Sequence, residues 1–228
     1  MTPTDAPSLR RTLYRIQGAV VLLPGEGQIG PIDWTLERGH RVRVRCAHPA
    51  QWEALVALLS GERAPATGAM EEVVPVRVQT DMRVRESLSP NRTLREFLES
   101  PDAPESVWLG GRRRSLWVLL DALGISPALA RRAYRYLSPE QQAKVWAFRF
   151  LLSRASLLIG REVFRIPDPL VQAAIARRWG DLPGTVVAGE SEVPLPVATD
   201  QWAALDAEGH FTCGADVAAA PAGETSEC

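Results

Sequence analysis

The feature that most constrains this chain is a short apolar run that does not alternate. "SLLIG", Ser156 to Gly160, follows a helical segment and stops on a cation and an anion, Arg161 and Glu162. A strand with one wet face alternates apolar and polar residues, whereas a strand covered on both faces reads as a continuous apolar run. The run therefore predicts a buried parallel strand with helices on both sides, within an α/β fold. Ligands of such sheets bind just beyond the carboxyl ends of the strands, where Arg161 and Glu162 stand.

The segment before the run predicts a helix. Ser138 suits the N-cap, Pro139 the first helical position, and Gln141 the second member of a capping box. Val145, Trp146, Phe148, Phe150, Leu151 and Leu152 then cover more than one face, so this helix is expected to be packed on several sides. Upstream, "LYRI" and "AVVLL" read as strands, and "IDWTLERGHRVRVRC" as two strands joined at Glu37 to Gly39. In the second of these, alternation puts Val42, Val44 and Cys46 on one face and three arginines on the other. "AHPAQWEALVALLSG" carries Trp52, Leu55, Val56 and Leu59 at helical spacing, with Gly61 as the stop. "RAPATGAMEEVVPVRVQTD" returns to short strands, and Thr93 to Tyr136 reads as largely helical, broken by "SPDAPES" and by Gly110-Gly111. Asp168 and Pro169 start a last helix that ends at Gly180; "TVVA" follows as a buried strand, and "WAALDAEGHFTCG" as a hairpin turning at Glu208-Gly209.

Composition narrows the function classes. Among 228 residues, 26 Lys and Arg nearly balance 27 Asp and Glu, so no overall basic field exists to drive nucleic-acid binding. The basic clusters "GGRRRS" and "ALARRAYRY" are expected to be solvated faces. Cys46, Cys213 and Cys228 are an odd number without metal-ligand spacing, and no charged-then-apolar leader is evident, so a cytoplasmic location is expected. No apolar stretch approaches the roughly 20 residues that cross a bilayer, so any membrane role is expected to run through a partner, on the inner face of the membrane. His40, His48 and His210 are scattered, and a histidine-based metal or catalytic site is not expected.

In order and spacing, these segments resemble the ATP-binding subunits of ABC transporters, from about Tyr14 to Asp216. "WTLERGHRVRVRCAHPAQWEALVALLSGERAPATGAM" is similar to the family's strand, phosphate loop and following helix. "LSPEQQAKVWAFRFLLSRASLLIGREVF" resembles its signature motif, helix and Walker B strand. "VRVQTD" resembles the Q-loop and "ATDQWAALDAEGHFTCG" the closing hairpin. The resemblance implies a P-loop NTPase-like mixed sheet flanked by helices, with an antiparallel β portion and an inserted helical lobe. It implies one domain over residues 9–216 with the lobe at about 93–152, between flexible ends at 1–8 and 217–228.

The departures from the family pattern bear on function. The family's phosphate loop is G-x-x-x-x-G-K-[ST], in which backbone N–H groups cradle phosphate, the lysine neutralises it and the hydroxyl binds magnesium. Here Cys46 and Gln51 stand at glycine positions, His48-Pro49 stiffens the loop, Trp52 stands at the lysine and Glu53 at the hydroxyl. A carboxylate near a phosphate costs about 4 kcal/mol at ~4 Å and an effective dielectric of ~20. Arg161 replaces the magnesium-directing aspartate, while Glu162 keeps the general-base position. Gln79 matches the Q-loop glutamine, Ser138 and Gln141 persist from the signature with Pro139 and Glu140 at its glycines, and Asp168 matches the D-loop aspartate. Ser191 stands near the place of the switch histidine.

These substitutions predict a Glu53–Arg161 ion pair in place of the metal, with Trp52 filling the volume of lysine and phosphate. The implied protein is a degenerate ATP-binding subunit without ATP turnover and with no cofactor. It would be a structural or regulatory partner of a competent ATPase or of a transporter membrane subunit. An active ATPase using altered site residues, with ATP and magnesium, and a scaffold unrelated to transport are the alternatives.

Overall fold

The structure is a computed structural model that describes residues 12–25, 27–99, 104–109, 111–190 and 198–215. The sequence expectations for residues 1–8, Ser191 and 217–228 lie outside the described residues. In chain order the elements are β1 (Thr12–Leu22), β2 (Gln28–Glu37), β3 (Arg41–Cys46), α1 (Pro49–Leu59), β4 (Thr67–Glu72) and β5 (Val78–Thr80). Next come α2 (Asp81–Glu86), α3 (Leu94–Leu98), β6 (Val107–Leu109), β7 (Arg112–Arg114), α4 (Leu116–Ala122), α5 (Pro127–Ala130) and α6 (Pro139–Leu151). β8 (Leu157–Gly160), α7 (Pro169–Trp179), β9 (Thr185–Gly189), β10 (Gln201–Leu205) and β11 (Phe211–Ala215) complete them.

The apolar run is β8, a strand interior to the main sheet. That sheet has the order β11-β10-β3-β9-β8-β5; its neighbours are parallel except for the antiparallel β10–β11 hairpin. All four residues of β8 are buried. Leu157 and Ile159 join a core with α1 and the antiparallel strands, while Leu158 joins a second core with α6 and α7. Lack of alternation thus has the cause expected: both faces are dry. Phe150, Phe164 and Trp179 extend the second core through edge-on contacts, with ring centroids 5.7 and 5.6 Å apart. The architecture is mixed α/β, with parallel and antiparallel sheet regions flanked by helices.

A three-stranded antiparallel sheet, β2-β1-β4, stands beside the main one. "LYRI" and "AVVLL" are not two strands but the halves of β1. At Gly18 the backbone takes φ 56° and the pairing register shifts between Ile16 and Ala19, so the strand bends without ending. One further expectation is corrected. Beyond its expected breaks, the stretch from Thr93 to Tyr136 is not all helix, because "VWL" and "RRR" pair as the antiparallel hairpin β6–β7. On the arginine face of β3, Arg41 is 8% exposed and donates to the carbonyls of Trp179, Gly184 and Leu182 at 3.0, 2.6 and 2.7 Å. Strand alternation points Arg41 away from Val42, but the end of α7 and the loop to β9 cover that side, and the last carbonyl of α7 with two loop carbonyls takes the cation. Burial lowers the Arg41 pKa, and Asp200 opposes that shift.

Helix ends follow their capping residues. Ser138 Oγ accepts from Gln141 N at 3.3 Å, and Gln141 Oε1 accepts from Ser138 N at 3.1 Å, which starts α6 at Pro139. Asp168 Oδ1 accepts from Leu170 N and Val171 N at 2.9 and 3.2 Å and starts α7 at Pro169. Among the described residues, no helix is long and apolar enough to cross a membrane.

Candidate functional site

The carboxyl ends of β3, β9, β8 and β5 lie side by side, and the site is built from the residues that leave them. Gly160 pairs with Ala188, which sets Arg161 beside Gly189 at the end of β9. On the other side of β9, Cys46 ends β3, and the loop Ala47-His48 leads into α1. Pro49 at the first helical position needs no hydrogen-bond acceptor for its nitrogen, so the helix starts without a free donor there. The side chain of Gln51, 1% exposed, closes the loop: its Oε1 accepts from His48 N at 3.1 Å and its Nε2 donates to Asp206 O at 2.6 Å.

Trp52 and Arg161 meet over Gly189. A Cβ on Gly189 would lie 2.9 Å from both Cβ and Cγ of Arg161 and 3.1 Å from Cη2 of Trp52. Trp52 is 9% exposed and belongs to the core that covers one face of β8. The indole and the arginine stem therefore occupy the space above the strand end, and only glycine leaves room for both. Burial pushes the Cys46 thiol up to about 12, with the nearby Arg161 cation pulling the other way.

The predicted Glu53–Arg161 ion pair is not formed. Glu53 is exposed, and among the described residues no salt bridge joins the two. Successive helical residues are turned by about 100°, so a helix that points Trp52 into the core points Glu53 away from it. Arg161 instead keeps a buried Nε without a hydrogen-bond partner. Its backbone is held by Asp81, a carboxylate 4% exposed whose Oδ2 accepts from Arg161 N at 2.8 Å and Val163 N at 3.1 Å. Burial raises the Asp81 pKa, and these backbone donors oppose that rise. Sequence reasoning passed over Asp81, although the "TD" after Gln79 was a signal: Thr80 caps α2 through Arg83 N at 3.1 Å, leaving the carboxylate free to reach β8.

The remaining sequence-derived positions lie elsewhere. Glu162 pairs with Arg165 at 3.2 Å on a short 3-10 turn. Gln79 is in register with Leu158, so it faces the helical core, on the opposite side of the sheet from α1, and lines a cavity there. Ser138 and Gln141 serve the start of α6. Asp168 adds a 3.0 Å salt bridge to Lys144 of α6. Although burial acts to raise the Asp168 pKa, Lys144 and the two capping N–H groups outweigh it and hold the pKa below the ordinary value. No hydrogen bond or salt bridge among the described residues joins these five side chains to those of Trp52 and Arg161.

Two of the three histidines have carboxylate partners. His40 Nε2 lies 3.1 Å from Glu37, and His210 Nδ1 lies 3.0 Å from Asp206. In the β10–β11 turn, Asp206, Glu208 and His210 each offer a donor atom, all within 4.8 Å of one another. Two carboxylates and an imidazole in that grouping suit a divalent cation, so the expectation that no cofactor is bound is corrected. The signal was present in "DAEGH", whose i, i+2, i+4 spacing a tight turn folds onto one side. Hydrogen bonds from His210, first of all its backbone N–H, hold the Asp206 pKa below the ordinary value.

No family model matches the sequence, and no curated protein does. Solved structures do match: 743 chains, so the fold is a populous one. One belongs to an inward-facing conformation of a transporter assigned to the metal-chelate type of ABC transporter; it has a TM-score of 0.63 and 17% identity over 90% of this chain and 83% of that one. At that identity the likeness is one of fold: this chain shares the architecture of an ABC-transporter-type protein.

Proposed function

We propose that this chain is a non-hydrolysing member of an ABC-transporter-type assembly, a structural or regulatory subunit that pairs with a competent ATPase or a membrane subunit. The observation that carries the reading is the filled strand end, where the Trp52 indole and the Arg161 stem meet over Gly189. An open α/β sheet of this order takes ligands at that end. A triphosphate there would need the indole displaced, and the loop offers Pro49 where an N–H could point and a glutamine side chain where a glycine backbone could approach. Glu162, at the position that resembles the family's general base, is bonded to Arg165 at 3.2 Å.

Calorimetric titration of the full chain with Mg-ATP and with ATP alone tests the reading. Neither is expected to bind saturably below the millimolar range, and phosphate release should stay at background. Micromolar binding, or turnover abolished by Glu162→Gln, overturns it. Co-purification from membranes with a transporter ATPase or membrane subunit is the expected second result.

A further inference from the structure

Leu116, Leu119, Leu120 and Leu123 recur at helical spacing along α4, and all four are buried in the core shared with α6 and α7. The opposite face carries Trp117, 50% exposed, and Val118, 38% exposed. Singly exposed apolar side chains are ordinary on a protein surface. Here an indole and a valine stand side by side in the first turn of a helix whose core face is already filled with leucine. Strand β7, which leads into α4, consists of Arg112, Arg113 and Arg114, all exposed. From Val107 to Leu120 the sequence holds these three arginines and no carboxylate, in a chain of net charge −1; Asp121 is the first acid to follow.

Strand alternation divides the three cations between two faces. Arg113 is held on one of them, where its Nε donates to Ser106 Oγ at 2.6 Å and its guanidinium lies 3.8 Å from Glu105. Arg112 and Arg114 take the other face, and among the described residues neither side chain has a hydrogen-bond or salt-bridge partner. Gly111 N donates to Asp181 at 2.9 Å and pins the turn of the hairpin. Arg114 and Trp117 are separated by at most about 11 Å of extended chain, so the free guanidinium groups and the exposed indole belong to one surface.

Four side chains on a short strand and one helical turn fall short of the roughly 800 Å² that each partner gives to a stable protein interface. Nor do two free cations make the long basic groove with stacking rings that a nucleic-acid strand requires. Their chemistry is that of a membrane interface: tryptophan settles at the headgroup level, and arginine forks pair with phosphate on an anionic leaflet. We propose that the β6–β7 hairpin and the first turn of α4 rest on an anionic phospholipid surface, with Arg112 and Arg114 on the headgroup phosphates and Trp117 and Val118 entering just below them. The contact is shallow and reversible, since stable anchoring takes a second signal. It is independent of the Trp52 loop and would orient a scaffold as well as a transporter subunit against a membrane.

The test is flotation of the full chain with vesicles of phosphatidylcholine, alone or mixed with phosphatidylglycerol, and again with brominated phosphatidylcholine, which quenches an indole that enters the bilayer. The chain should favour the anionic vesicles by about ten-fold or more, and added salt should erase that preference. Arg112→Gln with Arg114→Gln should lose about ten-fold of the partitioning, and Trp117→Ser should lose about as much. Trp117→Tyr keeps an amphipathic ring, so it should retain binding and lose the bromine quenching. All of these residues are exposed, so melting temperature should not move. No partitioning, equal partitioning into neutral and anionic vesicles, unchanged quenching in Trp117→Tyr, or full binding by the arginine variant overturns the proposal. Binding of single-stranded DNA that is tighter than binding of anionic vesicles, and lost in the same arginine variant, also overturns it, because the hairpin would then be a nucleic-acid contact.

Discussion

Gly189→Ala isolates the contact that closes the candidate site. The added methyl would sit 2.9 Å from the Arg161 Cβ and Cγ and 3.1 Å from the Trp52 ring, inside ordinary van der Waals contact. The Arg161 atoms are the stem of the side chain and cannot turn away as a chain terminus could. Overpacking of this kind costs about 1–3 kcal/mol. Gly189 has no positive φ, so alanine brings no backbone strain and recovers about 0.4–1 kcal/mol by restricting the unfolded chain. The net expectation is a loss of roughly 0.5–2 kcal/mol, or a melting temperature lower by about 1–8 °C at ~2–4 °C per kcal/mol for a chain of this size. Urea denaturation followed by circular dichroism measures it. In a Trp52→Leu background the indole contact is absent and the arginine stem has room to move, so the same methyl should cost about 1 kcal/mol less. A Gly189→Ala protein as stable as the parent, or an unchanged cost in the Trp52→Leu background, would refute the claim that the two side chains fill this space together.

Arg41→Met removes the cation that holds the carbonyls of Trp179, Leu182 and Gly184 and leaves those acceptors buried; a loss of about 3–5 kcal/mol is expected in urea denaturation. Arg41→Lys should recover little of it, since one ammonium cannot span three carbonyls. Asp168 has its folded pKa below the unfolded value of about 3.9. Its contribution to stability is therefore present above that pH and lost as pH falls through the folded pKa; Asp168→Asn should be less stable than the parent at neutral pH, with the gap narrowing by pH 3. With its thiol pKa raised to about 12, Cys46 is roughly one part in 10⁴ thiolate at pH 8 and should resist iodoacetamide in the native protein. Peptide mass mapping checks this, and rapid native alkylation at Cys46 would contradict the raised thiol pKa.

Elements whose signal is local were legible. Ser138, Pro139 and Gln141 marked the start of α6, Asp168 and Pro169 that of α7, and the apolar run of β8 announced a strand dry on both faces. Caps and periodicity act over one or two turns, so neighbouring residues carry the whole argument. Where a distant segment intervened, the reading failed. Alternation could orient Arg41 relative to Val42 but could not reveal that the end of α7 would bury it. The mid-chain arginines hid a hairpin, and the Glu53–Arg161 pair was inferred from family positions without the helical rotation that sends Glu53 to solvent.

By itself, then, the sequence determined the helix starts of α6 and α7, the doubly covered strand and the closing hairpin. Only the tertiary structure decided what meets at the strand ends. There it set the Trp52 ring and the Arg161 stem over Gly189, Asp81 under the end of β8, and the Arg41 cation among the carbonyls of Trp179, Leu182 and Gly184. The physical reason is range. Hydrogen-bonded caps and hydrophobic periodicity are satisfied within a few residues, whereas exclusion of volume and gathering of charge depend on parts of the chain that only packing brings together.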